Sequence, residues 1–297
     1  PILFCIGYLG FAKKAAPGLF RSAISLELLH DFLLVHDDII DKSDTRRGKP
    51  SMHAMLNGYL AGRKNLKFSG QDLTIVIGDV MYAMAIDAFL SVKEELQRKE
   101  SALRKLILAV LYTGSGEFIE LLLGAKPIEQ TTINDIYKIY DYKTANYTFA
   151  SPLTMGAILA GAKKEEIKKL FEYGMCLGRA FQVKDDIIGT FSETADIGKS
   201  NITDIAEAKK TILIWHAYNH SDTTGRLAIK RVFSGKKVSK ADLIKIRRVI
   251  TNSGSLDYAK KEVQVLLNKS EQIIGSSKIR KTYRQTLIDF SRKILKV

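Results

Sequence analysis

The stretch HDDIIDKSDTRRGKP, residues 36–50, holds four aspartates within eight positions and then two arginines and a lysine. Asp37 and Asp41 are four residues apart, so on a helix they share one face, with Asp38 beside them. Like charges at this spacing destabilise a helix unless a cation lies between them. Carboxylate oxygens are the protein ligands that Mg²⁺ prefers, and substrate phosphates commonly complete its shell. The cluster therefore predicts a Mg²⁺ site.

A solvated acidic helix end is the alternative interpretation of this cluster. An apolar run, LFRSAISLELLHDFLLV, precedes the aspartates, so they lie at the C-terminal end of their helix. The helix dipole is negative at that end and opposes carboxylates there. The position of the acids therefore favours metal binding over helix capping.

A second acidic pair repeats the arrangement. Asp185 and Asp186 end the apolar segment GRAFQVKDD, about 150 residues after the first cluster. Two such pairs, facing each other across a helical bundle, could hold several Mg²⁺ ions around one diphosphate. Phosphate oxygens that the metals do not reach need basic partners, and arginine binds phosphate through two parallel hydrogen bonds. The candidates for this role are Arg46, Arg47, Lys143, Lys199 and Lys209.

The elements that position these residues are predicted to be helices. Apolar residues recur at spacings of three and four through most of the chain, and turn formers interrupt them at RRGKPS, KFSGQD and GAKPIEQTT. Of the 297 residues, 46% are hydrophobic and only 5 are proline, which suits a large helical core. The helices that carry the acids are apolar on most faces, as buried helices are. We therefore expect one all-α domain over residues 1–297, with the acids at the mouth of its interior.

Composition excludes several classes of protein. Two cysteines, Cys5 and Cys176, cannot form a disulfide framework, so a reducing cytoplasm is the expected location. The sequence lacks Walker, paired-cysteine zinc and RNA-binding aromatic patterns, and no apolar run reaches the roughly 18 residues of a membrane span. The net charge of +14 could attract nucleic acid or a membrane, but lysines dispersed in pairs are typical of a solvated surface. We expect neither a nucleic-acid partner nor a membrane anchor.

Taken together, these motifs resemble those of the trans-isoprenyl diphosphate synthases, the polyprenyl synthetase family. The segments HDDIIDKSDTRRGKPSMH, YDYKTANYTFASP, GRAFQVKDDIIG, DIGKSNITDI and AEAKKTI occur in the family's order, and the resemblance covers essentially the whole chain. It implies an all-α bundle of the isoprenoid synthase type with a deep central cavity. It also implies a homodimeric, Mg²⁺-dependent enzyme that condenses isopentenyl diphosphate head to tail with an allylic diphosphate.

The resemblance assigns roles to individual residues. The Mg²⁺ ligands would be Asp37, Asp38, Asp41, Asp185 and Asp186. The contacts to the allylic diphosphate, including the group thought to receive the proton, would be Arg46, Lys143, Thr144, Gln182, Lys199 and Lys209. Isopentenyl diphosphate would contact Arg47 and His30, and the alternative for His30 is an ordinary core position. Lys143 and the five aspartates form the predicted catalytic set.

The sequence departs from the family pattern at three places. The upstream GGKxxRP motif is represented only by its tail, PILF, beginning at Pro1, so we expect a natural segment upstream that carries its lysine and arginine. Gly189 ends the second motif where many members have a third aspartate, a form that resembles archaeal geranylgeranyl diphosphate synthases. Glu117 lies in SGEFIEL, where glutamine is common.

Product length is a finer prediction. Family members with a bulky aromatic residue five positions before the first aspartate make shorter products, and here Phe32, followed by Leu33, lies at that position. With Gly189, the resemblance implies geranylgeranyl diphosphate as the main product, with farnesyl or longer polyprenyl diphosphates as alternatives. Helix geometry alone does not support the assignment, because five residues turn about 500°, which would not put Phe32 beside Asp37. An ordinary core position is the competing interpretation.

Two other functions remain as alternatives. A class I terpene cyclase shares the helical bundle but normally carries an NDxxSxxxE box, and the nearest string, NDIYKIYDY, has Lys138 where the serine should be. A non-catalytic regulatory subunit of a heteromeric synthase would share the fold, yet such subunits tend to lose their aspartates. Both acidic pairs are present here, so the motifs favour an active synthase.

Overall fold

Helices dominate the fold, as predicted. The computed structural model describes residues 1–191, 209–234 and 238–296. The N-terminal helices are α1 (Ile2–Leu9), α2 (Leu19–Ile40), α3 (Met52–Leu60), α4 (Gly70–Leu90) and α5 (Leu96–Ala125). Next come a 3₁₀ turn (Ile128–Gln130), α6 (Ile133–Ile139), a π-helix (Tyr140–Ala150), α7 (Ser151–Leu159) and α8 (Lys164–Phe191). The C-terminal helices are α9 (Ile212–His220), α10 (Thr223–Val232), α11 (Lys240–Asn252), α12 (Ser255–Gly275) and α13 (Lys281–Leu295).

Helix α4 begins within the predicted break KFSGQD and α6 begins directly after GAKPIEQTT, each for a local reason. The Ser69 side chain accepts a hydrogen bond from the Asp72 backbone N–H, and the Asp72 carboxylate accepts one from the Ser69 N–H. Thr132 and Asp135 form the same capping box at the start of α6. Each box satisfies two backbone donors that the first turn of a helix leaves unpaired.

The helices pack around two buried apolar clusters. The larger cluster joins the π-helix, α7, α8 and the C-terminal helices, with Tyr173 and Leu177 fully buried. The smaller cluster joins α1, α2, α4, α5 and α7 through side chains such as Phe4 and Phe89. Helix α2 packs along α4, α8 packs along α12, and the π-helix contacts both α5 and α8. The result is the predicted helical bundle, with α2, α5, the π-helix and α8 around one cavity.

Close packing on the π-helix depends on glycine at two positions. A Cβ at Gly178 of α8 would lie 2.4 Å from the Cα of Ala145, and one at Gly116 of α5 would lie 2.8 Å from the backbone nitrogen of Lys143. Both distances are too short for van der Waals contact, so a larger residue would push the helices apart. Because the π-helix carries Lys143 and Thr144, these two glycines set how closely their side chains approach α5 and α8.

A short hairpin follows α2 in a segment predicted to be a turn. Its two strands, Thr45–Arg46 and Lys49–Pro50, pair antiparallel. Arg47 and Gly48 form the two-residue loop with φ angles of 53° and 74°, and a positive φ at both positions is typical of a type I′ turn. Glycine adopts such a φ freely, whereas arginine adopts it only with strain. The hairpin returns the chain so that Arg46 contacts the aspartates of α2.

Helices α4 and α5 leave large apolar side chains exposed. These residues include Val76, Val80 and Met84 on α4 and Leu111, Phe118, Leu121 and Leu122 on α5. By length and composition both helices could cross a membrane, with 28% of each apolar window buried. The sequence predicted no membrane span, because no apolar run is long enough without interruption. These two windows qualify because their criterion is mean hydropathy, which tolerates isolated polar residues. This is weak evidence for a membrane, because exposed apolar patches of this kind also mark protein interfaces.

Candidate active site

The C-terminal part of α2, α5, the π-helix, α8 and residues 209–211 enclose a cavity of about 580 Å³. Its charged and polar lining includes His30, Asp37, Asp41, Arg46, Arg47, Glu117, Glu120, Lys143, Thr144, Gln182, Asp185, Asp186 and Lys209. Asp38 is buried against Arg46, and Lys199 lies outside the described residues. Motifs that are far apart in the chain therefore meet at one cavity.

Three carboxylates converge within this cavity. One ligand oxygen each from Asp37, Asp41 and Glu117 lies within 4.8 Å of the others. Carboxylate oxygens at this spacing fit a hard divalent cation such as Mg²⁺. Asp37 lies in the last turn of α2 and Asp41 follows its end, whereas Glu117 comes from α5. A cation bound here would relieve both the mutual repulsion of the acids and their repulsion by the α2 dipole.

The carboxylates differ in how readily they hold a proton. Burial alone would raise the pKa of Asp37, but Lys143, Lys209 and Arg46 outweigh it and hold that pKa below its usual value. At Glu117 burial dominates and raises the pKa, although Lys143 acts in the opposite direction. Since a nearby cation favours the charged form, a metal bound beside Glu117 would oppose the effect of burial on its pKa.

Lys143 lies at the centre of the acidic group. Its Nζ is 2.5 Å from Glu120 Oε2, 2.6 Å from Glu117 Oε2 and 3.3 Å from Asp37 Oδ1. Burial alone would lower the pKa of Lys143, but the carboxylates outweigh it and raise that pKa above its ordinary value. Lys143 is therefore a permanent cation. Sequence reasoning missed Glu120, although its spacing of three from Glu117 places both on one helix face.

Arg46 and Asp38 form a pair beside the cavity. Arg46 Nε donates to both carboxylate oxygens of Asp38 at 2.8 Å, and an Nη atom donates to Asp37 at 3.0 Å. Asp38 is 3% exposed. Burial alone would lower the pKa of Arg46, but the two aspartates outweigh it and raise that pKa. Asp38 thus fixes the hairpin arginine, and its role as a metal ligand stays a prediction.

The second acidic pair divides into one buried and one exposed carboxylate. Asp186 accepts hydrogen bonds from the Tyr140 hydroxyl and from Gln182 Nε2, the latter at 3.1 Å. Gln182 Oε1 in turn accepts a hydrogen bond from the Thr144 hydroxyl at 2.7 Å. Asp186 therefore ties α8 to the π-helix, while Asp185 is exposed at the cavity. Sequence reasoning missed Tyr140, since only the folded chain brings it to Asp186.

The remaining predicted substrate contacts also lie at the cavity. Lys209 Nζ is 3.0 Å from Asp41 Oδ2, and Arg47 is part of the lining. His30 Nδ1 lies 3.2 Å from the Tyr147 hydroxyl, and burial lowers the pKa of His30. A neutral imidazole can contact a substrate by hydrogen bonding without contributing charge.

Comparison with known proteins agrees with this geometry. The family model described as Polyprenyl synthetase matches residues 3–250. The chain belongs to the polyprenyl synthetase family. Geranylfarnesyl diphosphate synthase of Aeropyrum pernix is 30% identical over 256 residues, covering 85% of this chain and 74% of that protein. Geranylgeranyl diphosphate synthase of Saccharolobus solfataricus is 27% identical over 277 residues, covering 92% of this chain and 79% of that protein.

A solved structure shares the fold of this polyprenyl synthetase. Geranylgeranyl pyrophosphate synthase from Corynebacterium glutamicum, complexed with isoprenyl diphosphate and magnesium, matches with a TM-score of 0.89 at 27% identity. The match covers 99% of this chain and 85% of that chain. The predicted family and fold are confirmed, and this polyprenyl synthetase is an enzyme of the trans-prenyltransferase class.

Phe32 and Leu33, the predicted chain-length residues of this polyprenyl synthetase, both line the cavity. The Phe32 ring packs against His36, with ring centroids 4.9 Å apart, and against Tyr82 of α4, with centroids 5.3 Å apart. Phe32 and Asp37 line the same cavity although they lie on different faces of α2. This is possible because the cavity contacts more than one face of that helix.

Proposed function

We propose that this enzyme condenses isopentenyl diphosphate head to tail with an allylic diphosphate. The observation that supports this most strongly is the meeting, in one cavity, of clustered carboxylates and basic side chains, which include Lys143, Lys209 and Arg47. Carboxylates suit a divalent metal and the bases suit the phosphate oxygens that the metal does not reach. A site for nucleic acid would not need the acids, and a site for metal alone would not need the bases.

The metal that we propose is Mg²⁺. Its ligands would come from Asp37, Asp41 and Glu117, whose oxygens have the spacing that a hard cation requires, and from Asp185 on α8. Bound Mg²⁺ would supply Lewis acidity toward the leaving diphosphate.

The side chains of this protein supply the remaining stabilisation. Lys143 and Lys209 place fixed positive charge where negative charge develops as the allylic C–O bond breaks. The C4 alkene of isopentenyl diphosphate then attacks the allylic cation, and a proton passes to an oxygen of the departed diphosphate. An allylic cation must be kept from water, and Phe32, Leu33 and Val110 contribute an apolar wall to the cavity.

We propose geranylgeranyl diphosphate as the main product. Phe32 lines the cavity and is held by aromatic neighbours, which supports a floor that limits the chain. Similar proteins include both geranylgeranyl and geranylfarnesyl diphosphate synthases. A product longer than geranylgeranyl diphosphate is therefore the alternative, and chromatography of the products distinguishes the two.

We also propose that the enzyme is a homodimer that pairs through α4 and α5. Both helices expose large apolar side chains on faces that no part of the described chain covers, including Met84 and Phe118. An interface between two copies would remove these side chains from water. Covering them in this way would also suit the predicted cytoplasmic location.

The first test is elongation by the purified protein. It is incubated with Mg²⁺, labelled isopentenyl diphosphate and allylic primers of different length, and the dephosphorylated products are separated by chromatography. We expect geranylgeraniol to dominate, and a chelator or Asp37→Ala to abolish it, whereas Asp257→Ala, at an exposed position of α12, should have no effect. Alcohols longer than geranylgeraniol would overturn the proposed product length but not the proposed reaction. If no primer is elongated by folded protein, the regulatory-subunit interpretation replaces the synthase.

A further inference from the structure

Lys210 is a buried lysine in the wall of the cavity, and its ammonium binds backbone carbonyls. It is 6% exposed. Its Nζ donates hydrogen bonds to the carbonyl oxygens of Leu123, Gly124 and Lys126, the one to Gly124 being 3.3 Å. An ammonium has three donors, so these three carbonyls use all of them.

The three carbonyls belong to the C-terminal end of α5. The last turns of a helix leave carbonyls without intrahelical partners and carry the negative end of its dipole. The final turn of α5, ending LLLGA, contains no basic residue of its own. Lys210 therefore supplies, from a distant part of the chain, an ammonium that binds the carbonyls of this helix end. The same helix carries Glu117 and Glu120 into the cavity.

The backbone around Lys210 is fixed on both sides. The Thr211 N–H donates to the Lys209 carbonyl at 3.1 Å, which closes a three-residue turn with Lys210 at its centre. One residue further on, the Ile212 N–H donates to the Tyr140 hydroxyl at 3.0 Å. The turn is therefore anchored to α5 through Lys210 and to the π-helix through Ile212.

Lys209 lies at the start of this anchored turn and extends to the opposite side. Its Nζ reaches Asp41 Oδ2 at 3.0 Å, at the end of α2. We propose that Lys210 is a positioning residue for the diphosphate site: by capping α5, it holds the Lys209 ammonium in place beside the carboxylates. This inference rests on the proposed function, in which Lys209 contacts the diphosphate.

A double-mutant cycle on inorganic diphosphate binding tests the proposal. The dissociation constant of inorganic diphosphate, with Mg²⁺ in excess, is measured for the unmodified enzyme, Lys209→Met, Lys210→Met and the double variant. A lost charge-assisted contact weakens binding by about tenfold or more, and we expect Lys209→Met and Lys210→Met to do so to a similar degree. If Lys210 acts only through Lys209, the double variant binds within about twofold of Lys209→Met.

Two further variants separate positioning from stability. Lys210→Arg keeps a cation that can reach the carbonyls, and it should restore most of the lost affinity. Arg284→Met removes a side chain that caps the end of α12, through the carbonyls of Gly275 and Ser277. It should lower the melting temperature and leave diphosphate affinity unchanged. Should Lys210→Met not fold, Lys210→Gln takes its place in the cycle.

The outcomes are distinct. If Lys210→Met lowers the melting temperature and leaves diphosphate affinity within about twofold, Lys210 is a structural cap only and the proposal is wrong. If the effects of the two lysines multiply, they act independently and the proposal is also wrong. If Lys209→Met itself binds diphosphate normally, both this inference and the assignment of Lys209 are overturned. An enzyme that binds diphosphate but elongates nothing would contradict only the proposed function.

Discussion

The rings of Phe32 on α2 and Tyr82 on α4 lie with their centroids 5.3 Å apart and their planes at 33°. On another side the Phe32 ring packs against the His36 ring in a T-shaped arrangement, with centroids 4.9 Å apart. Aromatic pairs at such distances are attractive beyond the area they bury. The position of the Phe32 ring in the cavity therefore depends on a neighbour in another helix as well as on its own rotamer.

Replacing either ring should lengthen the product. Phe32→Ala removes the proposed floor directly, so we expect it to shift the products strongly toward longer chains. Tyr82→Ala removes one of the two rings that hold Phe32, so we expect a weaker shift in the same direction. The measurement is the product distribution with a fixed primer, and Phe20→Ala, at an exposed position of α2, is the control. If Phe32→Ala lengthens the product and Tyr82→Ala does not, Phe32 keeps its position without Tyr82.

Removal of Arg46 should destabilise the metal-free protein. Arg46→Met leaves the Asp38 carboxylate, 3% exposed, without its two hydrogen bonds from the guanidinium. Breaking a buried pair in this way costs about 3 kcal/mol. Urea unfolding measures the change in free energy.

Two further variants serve as controls for the Arg46 pair. Adding Asp38→Asn to Arg46→Met should recover part of the loss, because no charge then stays buried. Arg21→Met breaks a pair with Asp87 whose side chains are 69% and 80% exposed, and it should change stability by less than about 1 kcal/mol. Equal losses for Arg21→Met and Arg46→Met would argue against a special role for the buried aspartate.

Glu117→Gln should stabilise the protein in the absence of metal, in a way that depends on pH. Burial raises the pKa of Glu117, so the folded chain binds this proton more tightly than the unfolded chain. Ionisation of Glu117 therefore opposes folding as the pH rises above 4.5, the ordinary pKa of a glutamate. Glu117→Gln lacks that penalty. Its gain in stability over the unmodified protein should therefore vanish at low pH and grow as the pH rises. Melting temperatures with a chelator present measure it.

Mg²⁺ should reverse the effect of Glu117→Gln. The glutamine removes one of three converging carboxylates, so the variant should gain less stability from added Mg²⁺ than the unmodified protein. The midpoint of thermal stabilisation against Mg²⁺ concentration provides the comparison. An unchanged midpoint would mean that Glu117 is not a ligand.

A charge introduced on the exposed face of α5 should dissociate the proposed dimer. Phe118 is 64% exposed on that face, and Phe118→Glu would place a charge in an apolar interface. Sedimentation velocity should show monomer for this variant and dimer for the unmodified protein. Leu227→Glu, at a side chain 62% exposed on α10, should leave the dimer intact. Monomer in all three proteins would contradict pairing through α4 and α5.

The sequence predicted those features that depend on spacing along one helix or on the recognised motifs. The end of α2 carries Asp37 in its last turn with Asp41 directly after it, as the apolar run and the acids indicated. The recognised motifs predicted that Lys143, Gln182 and Lys209 belong to one site, and all three line the same cavity. These features are local, or they follow from the resemblance, so they needed no knowledge of how helices pack.

The features that were missed depend on contacts between distant segments. Glu120 joins the site because Lys143 reaches across from the π-helix, and Tyr140 joins because Asp186 on α8 accepts its hydrogen bond. The orientation of Asp38 depends on the hairpin that returns Arg46 to α2. Spacing along the chain places Glu120 on the helix face of Glu117, but it does not encode these contacts, since each arises from packing of two separate elements.

The π-helix between Tyr140 and Ala150 has a consequence for the length of this segment. Its turns close through hydrogen bonds spanning five residues, one more than in an α-helix, so loss of one residue could be absorbed as an ordinary helical turn. Such a deletion would keep the segment helical but replace the wider π turns by turns of 3.6 residues, so the side chains on it would take new positions relative to α5 and α8. We therefore expect this segment to tolerate substitutions during evolution far better than insertions or deletions.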